Sequence, residues 1–254
     1  MSFDPLILTV IAGAAVAGFV QGLSGFGYSL TAMSLWVWTI EPQLAAVLAV
    51  FGALTGQILA ALTVRRGFDL THLMPFLLGG LAGLPVGVYI LPRLDVPMFK
   101  ALLGLFLVVV CPLLFFADRL PRITRGGRVA DAAVGAAGGF MGALGGASGV
   151  IPTLWCTLRG FKKDAQRAVI QNFNLAMLTV TFGTYVATGI ATREMIPLFA
   201  VVAPAMLIPS LLGARLYSRI SDTGFRKLVL GLLTASGVAL LAASVPLLLG
   251  RQSP

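Results

Sequence analysis

Charged residues are scarce in this chain of 254 residues, at 11% of the total, and long stretches have none. A soluble domain carries about a quarter charged residues, because polar groups have to cover its surface. Here 58% of the residues are hydrophobic, and the mean hydropathy is +0.96. These values exclude an ordinary soluble domain. The stretches without Asp, Glu, Lys or Arg are 5–40, 43–64, 70–92, 101–117, 132–158, 168–192, 195–214 and 228–250.

Most of these stretches approach or exceed the roughly 20 residues that a helix needs to cross the hydrocarbon core of a bilayer. The sequence therefore predicts an all-α polytopic membrane protein with the lipid bilayer as its solvent. The net charge of +9 does not indicate nucleic-acid binding, since the basic residues lie in short loops between apolar stretches. Lys and Arg in such loops set membrane topology.

Histidine, cysteine and acidic residues are also few. The chain has one histidine and two cysteines, and neither Cys111 nor Cys156 has metal-ligand spacing around it, so we expect no metal or other cofactor. All nine acids are expected at or outside the ends of the spans, which argues against a proton relay or cation site built on buried carboxylates. A substrate with its own negative charge fits this chain better, and any proton linked to its transport is expected on the substrate or through water.

The sequence repeats itself. Two motifs recur in order, 121 and 126 residues further along. They are Gly18-Phe19-x-x-x-Leu23-x-Gly25 with Gly139-Phe140-x-x-x-Leu144-x-Gly146, and Arg93-x5-Phe99-Lys100 with Arg219-x5-Phe225-Arg226. We interpret the chain as an N-terminal repeat at 1–117, a basic cytoplasmic connection at 118–131 and a C-terminal repeat at 132–254.

Each repeat is predicted to hold a glycine-broken helical hairpin and three transmembrane helices. The hairpins are 5–40 and 132–158, and the helices are 43–64, 72–91 and 98–117, then 168–191, 196–214 and 228–249. If both hairpins return to the side they entered from, 14 of the 18 basic residues fall on one side, as the positive-inside rule favours. Both termini are then outside, and the halves are inverted repeats, an architecture of secondary transporters.

The hairpin breaks are the candidate binding site. A helix that restarts after a break directs free N–H groups and a positive dipole end towards an anion. Close packing of helices through small residues is the alternative explanation of the glycines, and interhelical hydrogen bonding is the alternative for the polar face of Gln171, Asn174, Thr181 and Thr188. The candidate substrate-binding residues are Ser24, Gly25, Phe26, Gly27, Gln57, Gly146, Ser148, Gly149, Gln171, Asn172 and Asn174.

Several of these motifs resemble those of a known family. They are Gly142-x-x-Gly145-Gly146-x-Ser148-Gly149-x-x-Pro152, the run from Leu158-Arg159-Gly160-Phe161-Lys162-Lys163 to Arg167, Gln171 and Phe173-Asn174, and Gly22-Leu23-Ser24-Gly25-Phe26-Gly27. The chain resembles the sulfite exporter TauE/SafE family of the toluenesulfonate-uptake permease superfamily. The resemblance implies transport of a small sulfur-containing anion, such as sulfite, a sulfonate or a sulfoacid, across the bacterial inner membrane. Expected partners are this anion and lipid, with a homodimer possible and no nucleic acid.

Two other functions fit part of the sequence. A passive anion channel would use the same site without alternating access. Gly146-Ala147-Ser148-Gly149 is also the signature of a rhomboid-like intramembrane serine protease, whose serine needs a histidine within hydrogen-bond reach. The one histidine, His72, is predicted at the edge of a span, far from Ser148, so we expect a transporter and not an enzyme.

Overall fold

A computed structural model describes residues 5–24, 27–63, 67–123, 126–217 and 222–250, and this part of the chain is helical, without a strand. Its α-helices are α1 (Pro5–Ser24), α2 (Tyr28–Trp36), α3 (Pro42–Thr63), α4 (Leu70–Ile90), α5 (Val96–Phe116), α6 (Gly127–Gly145), α7 (Val150–Leu158), α8 (Lys163–Ala187), α9 (Ile196–Tyr217) and α10 (Asp222–Gly250). Short 3-10 turns occupy Leu91–Arg93, Ala117–Arg119 and Arg193–Met195.

The two halves have the same order of elements. Each begins with a helix of about 20 residues, followed by a helix of nine residues and three long helices. Nine residues of α-helix rise only about 13 Å, less than half of a hydrocarbon core of roughly 30 Å. The short helices α2 and α7 therefore extend only part of the way along the bundle.

A tryptophan closes each hairpin. Near the end of α2, the indole nitrogen of Trp36 donates to the carbonyl oxygen of Thr9 in α1 at 3.2 Å. In the second half, the indole nitrogen of Trp155 in α7 donates to the carboxylate of Asp131 in α6 at 2.7 Å. Each acceptor is the fifth residue of its helix, so each short helix runs back along its longer partner towards the end where the hairpin begins.

Within the described residues, six helices are long and apolar enough to cross a membrane, judged by length and composition. They cover Pro5–Leu23, Pro42–Leu62, Leu70–Arg93, Val96–Phe116, Arg193–Arg215 and Lys227–Leu249. The predicted span at 168–191 is helical, as part of α8, but it is not in this group. Its amides lower its hydropathy, and its buried side chains, among them Phe173, Met177 and Tyr185, contact the rest of the bundle.

The second half departs from its predicted start in one respect. Helix α6 begins at Gly127, five residues before the boundary predicted at 132. Asp131 therefore lies inside a helix and is 4% exposed, whereas we expected all acids at or outside the span ends. The N–H group of Trp155 satisfies its carboxylate there, because a buried carboxylate needs a donor.

The long helices pair across the two halves. Helix α1 packs on α9 and α6 packs on α4, while α3 packs on α8 and α5 on α10. The pattern is unchanged when the halves are exchanged, as expected for a duplicated chain. Glycines make the first two pairings close: a side chain at Gly22 would overlap the backbone of Ser210, and one at Gly139 would overlap that of Gly80.

Candidate functional site

Both hairpins turn at glycines in the left-handed conformation. Gly27 caps α2 with φ +92°, and Gly146 ends α6 with φ +81°. A side chain is strained in this region of φ, whereas glycine enters it freely. The two breaks predicted from the glycine runs are therefore places where the chain leaves one helix and starts another.

The breaks of the two halves contact each other. The hydroxyl of Ser29, in the first turn of α2, donates to the carbonyl oxygen of Gly146 at 2.9 Å. A side chain at position 146 would overlap that hydroxyl and crowd Val50 of α3. The first turn of α2 thus lies against the second break, and the hairpins meet inside the bundle.

Helix α8 contributes an amide to the second break. The hydroxyl of Ser148 donates to the side-chain oxygen of Asn174 at 2.8 Å, and Ser148 is fully buried. Gly149 lies directly on the same amide, since any side chain there would overlap the Asn174 group. The missing side chain at Gly149 lets the amide reach the first turn of α7.

A small cavity of about 50 Å³ lies among these groups. It is bordered by the first turns of α2 and α7, by the second break and by side chains of α1, α3 and α8. Its polar side chains are Gln21, Tyr28, Ser29, Gln57, Thr153 and Asn174. The cavity brings hydroxyl and amide groups to the N-terminal ends of two helices.

A larger cavity of about 380 Å³ lies between α2, α5 and α6. Ser29 is the only polar side chain among the described residues that line it, and several lining residues of α5, such as Leu102, Leu105 and Val109, are exposed on the outside of the bundle. An apolar cavity that opens on an apolar surface suits hydrocarbon better than a hydrated anion. The small polar cavity is therefore the candidate site.

A sequence comparison identifies the family. The sequence model of the sulfite exporter TauE/SafE family matches residues 10–240, which is most of the chain. The chain belongs to the sulfite exporter TauE/SafE family. No curated protein and no solved structure matches it. As a TauE/SafE member whose described part includes six apolar helices of spanning length, it is a multi-pass membrane protein of a transporter family.

Five of the predicted site residues line the small cavity of this TauE/SafE protein. They are Gly27, Gln57, Gly146, Gly149 and Asn174. Ser148 lies next to the cavity through its hydrogen bond to Asn174. The side chain of Ser24 and the whole of Gly25 and Phe26 lie outside the described residues.

Asn172 and Gln171 are not among the described residues that line the cavity, and their substrate-binding role stays a prediction. The Asn172 amide donates to the carbonyl oxygens of Gly67 at 3.0 Å and Ala168 at 2.9 Å, so it fastens α8 to the segment before α4. Successive helical residues are about 100° apart, so Asn172 faces away from Asn174. Gln171 lies almost one turn before Asn174 and is not among the lining residues.

Sequence reasoning assigned no binding role to three residues that line the cavity, Tyr28, Ser29 and Thr153. Their common signal is position, because all three lie in the first turn of a helix that follows a glycine break. Unpaired backbone N–H groups belong to the same turns. A site at a glycine break therefore includes the first turn of the helix that follows it.

The serine of the protease-like motif has no histidine beside it. Ser148 donates to Asn174, whereas the ring of His72 lies 2.8 Å from the carboxylate of Asp69 at the start of α4. That hydrogen bond lowers the pKa of Asp69. The described geometry thus gives Ser148 an amide partner in place of a base.

Proposed function

We propose that the chain is an inner-membrane secondary transporter of a small sulfur-containing anion, such as sulfite, a sulfonate or a sulfoacid. One observation carries this proposal: the N-terminal turns of α2 and α7 border one small polar cavity inside the bundle. Family membership supports the sulfur-containing substrate. The cavity is the binding site around which the protein alternates between its two openings.

The chemistry of the cavity suits an oxyanion. The first turn of a helix has backbone N–H groups without helical partners, and its dipole end is positive. The Tyr28 hydroxyl and the amides of Gln57 and Asn174 add side-chain donors, whereas the hydroxyls of Ser29 and Thr153 donate to the carbonyl oxygens of Gly146 and Gly149. These groups can surround sulfonate oxygens with donors while the substrate is shielded from lipid.

Alternating access follows from the duplication. The helix pairing is the same when the halves are exchanged, and the segregation of basic residues favours halves that insert with opposite orientation. Inverted repeats with broken helices that meet near the midplane let one part of a transporter rock against the other. We therefore place both termini outside and the 118–131 and 159–167 segments in the cytoplasm.

Cysteine labelling tests this topology. In intact cells, Arg122→Cys and Lys162→Cys are expected to resist a membrane-impermeant thiol reagent until the membrane is opened, whereas Arg93→Cys and Arg193→Cys react at once. The natural thiols Cys111 and Cys156 are buried, so the unmodified chain supplies the background. Reaction of positions 122 and 162 from opposite faces would contradict the inverted repeats.

Transport in proteoliposomes tests the carrier mechanism. With labelled sulfite or methanesulfonate, we expect saturable uptake, and accumulation of label against unlabelled anion trapped inside, without any ion gradient. Asn174→Leu is expected to lower the initial rate roughly tenfold or more, because it removes one polar partner of a charged substrate. Thr179→Leu, on an exposed part of α8, is the matched control. Linear uptake without exchange would indicate a passive channel.

A further inference from the structure

The polar cavity is lined by neutral side chains. Among the described residues that border it, none is Lys, Arg, His, Asp or Glu, and the polar groups are hydroxyls and amides. A charge taken out of water is costly unless nearby groups compensate it. The number of negative charges that this cavity accepts is therefore set by its dipoles.

Two helix ends supply those dipoles. The end of an α-helix is equivalent to about +0.5 of an elementary charge at its N-terminus, and the effect is confined to the first turn. Gly27 and Tyr28 of one hairpin and Gly149 and Val150 of the other border the same cavity. Together the two N-termini offset about one negative charge. A second charge on the ligand would have no counterpart.

One residue that lines this cavity carries a buried hydroxyl that is unpaired in the described part of the chain. Tyr28 is 1% exposed, and its hydroxyl has no hydrogen-bond partner among the described residues. The ring reaches this position because Gly52 of α3 has no side chain to block it. Buried polar groups are almost always hydrogen-bonded, so this hydroxyl lacks a partner that a bound oxyanion can supply.

We propose that the cavity selects singly charged oxyanions over doubly charged ones, and that the Tyr28 hydroxyl donates a hydrogen bond to the bound anion. This inference rests on the proposed function, and it narrows the substrate class to sulfonates and to acid anions such as hydrogen sulfite. A hydrogen sulfite ion carries its own proton through the membrane and releases it on the far side. No side chain then has to gain or lose that proton.

Calorimetric measurement of anion binding to the purified protein tests the charge selection. Methanesulfonate carries one negative charge and sulfate carries two throughout the neutral pH range. We expect methanesulfonate to bind at least tenfold more tightly than sulfate. For sulfite, the apparent affinity is expected to fall roughly tenfold per pH unit once the doubly charged form dominates, because only the competent fraction binds. Methanesulfonate affinity, measured over the same pH range, controls for titration of the protein.

A pair of tyrosine variants tests the role of the hydroxyl. Tyr28→Phe is expected to weaken methanesulfonate binding roughly ten- to hundredfold, the effect of losing one hydrogen bond to a charged group. Its thermal stability without ligand should not fall, because the lost hydroxyl has no partner in the described structure. Tyr185→Phe is the matched control: this buried hydroxyl donates to the carbonyl oxygen of Ala143, so its loss should lower stability and leave affinity unchanged.

The outcomes separate this inference from the proposed function. Sulfate binding as tight as methanesulfonate binding, or sulfite affinity that does not change with pH, would overturn the charge selection and leave an anion carrier. Unchanged methanesulfonate affinity in Tyr28→Phe would remove the tyrosine from the site. If none of the three anions binds or is transported, the proposed function itself fails.

Discussion

A leucine in place of Gly149 is expected to eliminate anion binding and transport. Any side chain at this position overlaps the amide of Asn174, so the substitution separates α7 from α8 and disrupts the hydrogen bond between Ser148 and Asn174. It also fills space beside a cavity of about 50 Å³. Losing the Asn174 amide as a donor to a charged ligand, together with part of the cavity, weakens binding roughly a hundredfold or more. Initial uptake rates and calorimetric affinity for methanesulfonate measure the loss.

Two further variants separate binding from packing. Gly183→Leu lies on α8 with open space around the position, so it should leave uptake and stability close to those of the unmodified protein. In the second, Gly149→Ala is combined with Asn174→Ala, which removes the overlapping amide. Thermal stability should then recover relative to Gly149→Ala alone, while affinity stays low. Recovered affinity in the double variant would show that Asn174 acts only in packing.

A leucine at Gly139 is expected to prevent stable assembly of the bundle. This residue packs against the carbonyl of Gly80 in α4, and Gly79 and Gly83 make similar contacts with Ala132 and Ala136. Overpacking commonly costs about 1–3 kcal/mol and more where backbone cannot move. The overlap here is with backbone along a long interface, so we expect the upper end or beyond. The yield of monodisperse protein and its unfolding temperature measure the effect.

A glycine on another helix provides the control for this variant. No atom outside the local backbone lies within 4 Å of a side-chain carbon built at Gly231 of α10. Gly231→Leu should therefore assemble with the normal yield and unfolding temperature. Equal behaviour of the two variants would mean that α4 and α6 are farther apart in the membrane than described.

Much of the fold follows from the sequence, because its signals are local. Charge-free stretches predict helices, glycine runs predict their interruptions, and a repeat of about 121 residues predicts that the second half copies the first. The structure has helices at all the predicted spans and two hairpins at the predicted breaks. These properties depend on composition over 10 to 20 neighbouring residues and need no knowledge of tertiary contacts.

The partners of each helix could not be predicted in the same way. All apolar stretches here are rich in Gly, Ala and Leu, so no sequence feature predicts that α1 packs on α9 or α6 on α4. Lipid is as apolar as the helices, which removes the hydrophobic selection that operates in soluble proteins. Pairing depends on where glycines of one helix meet backbone of another, and that register is visible only in three dimensions.

Within the candidate site, the sequence likewise does not predict which single residues face the cavity. Asn172 and Asn174 are equally polar and two positions apart, yet one fastens α8 to Gly67 and the other borders the cavity. Which amide faces the site depends on the rotation of α8 about its axis. The apolar residues that set this rotation, such as Phe173 against Phe76, do not reveal it in the sequence.

The pairing of long helices across the two halves has a consequence for biosynthesis. Helix α9 ends roughly 190 residues after the end of α1. At a translation rate of about 5–20 residues per second, α9 is therefore completed roughly 10–40 seconds after α1. During that time Gly18 and Gly22 of α1 contact lipid acyl chains instead of α9. The first half cannot complete its final contacts before α9 has been synthesised, so a chain truncated before α9 exposes to membrane quality control a first helix that lacks its main partner.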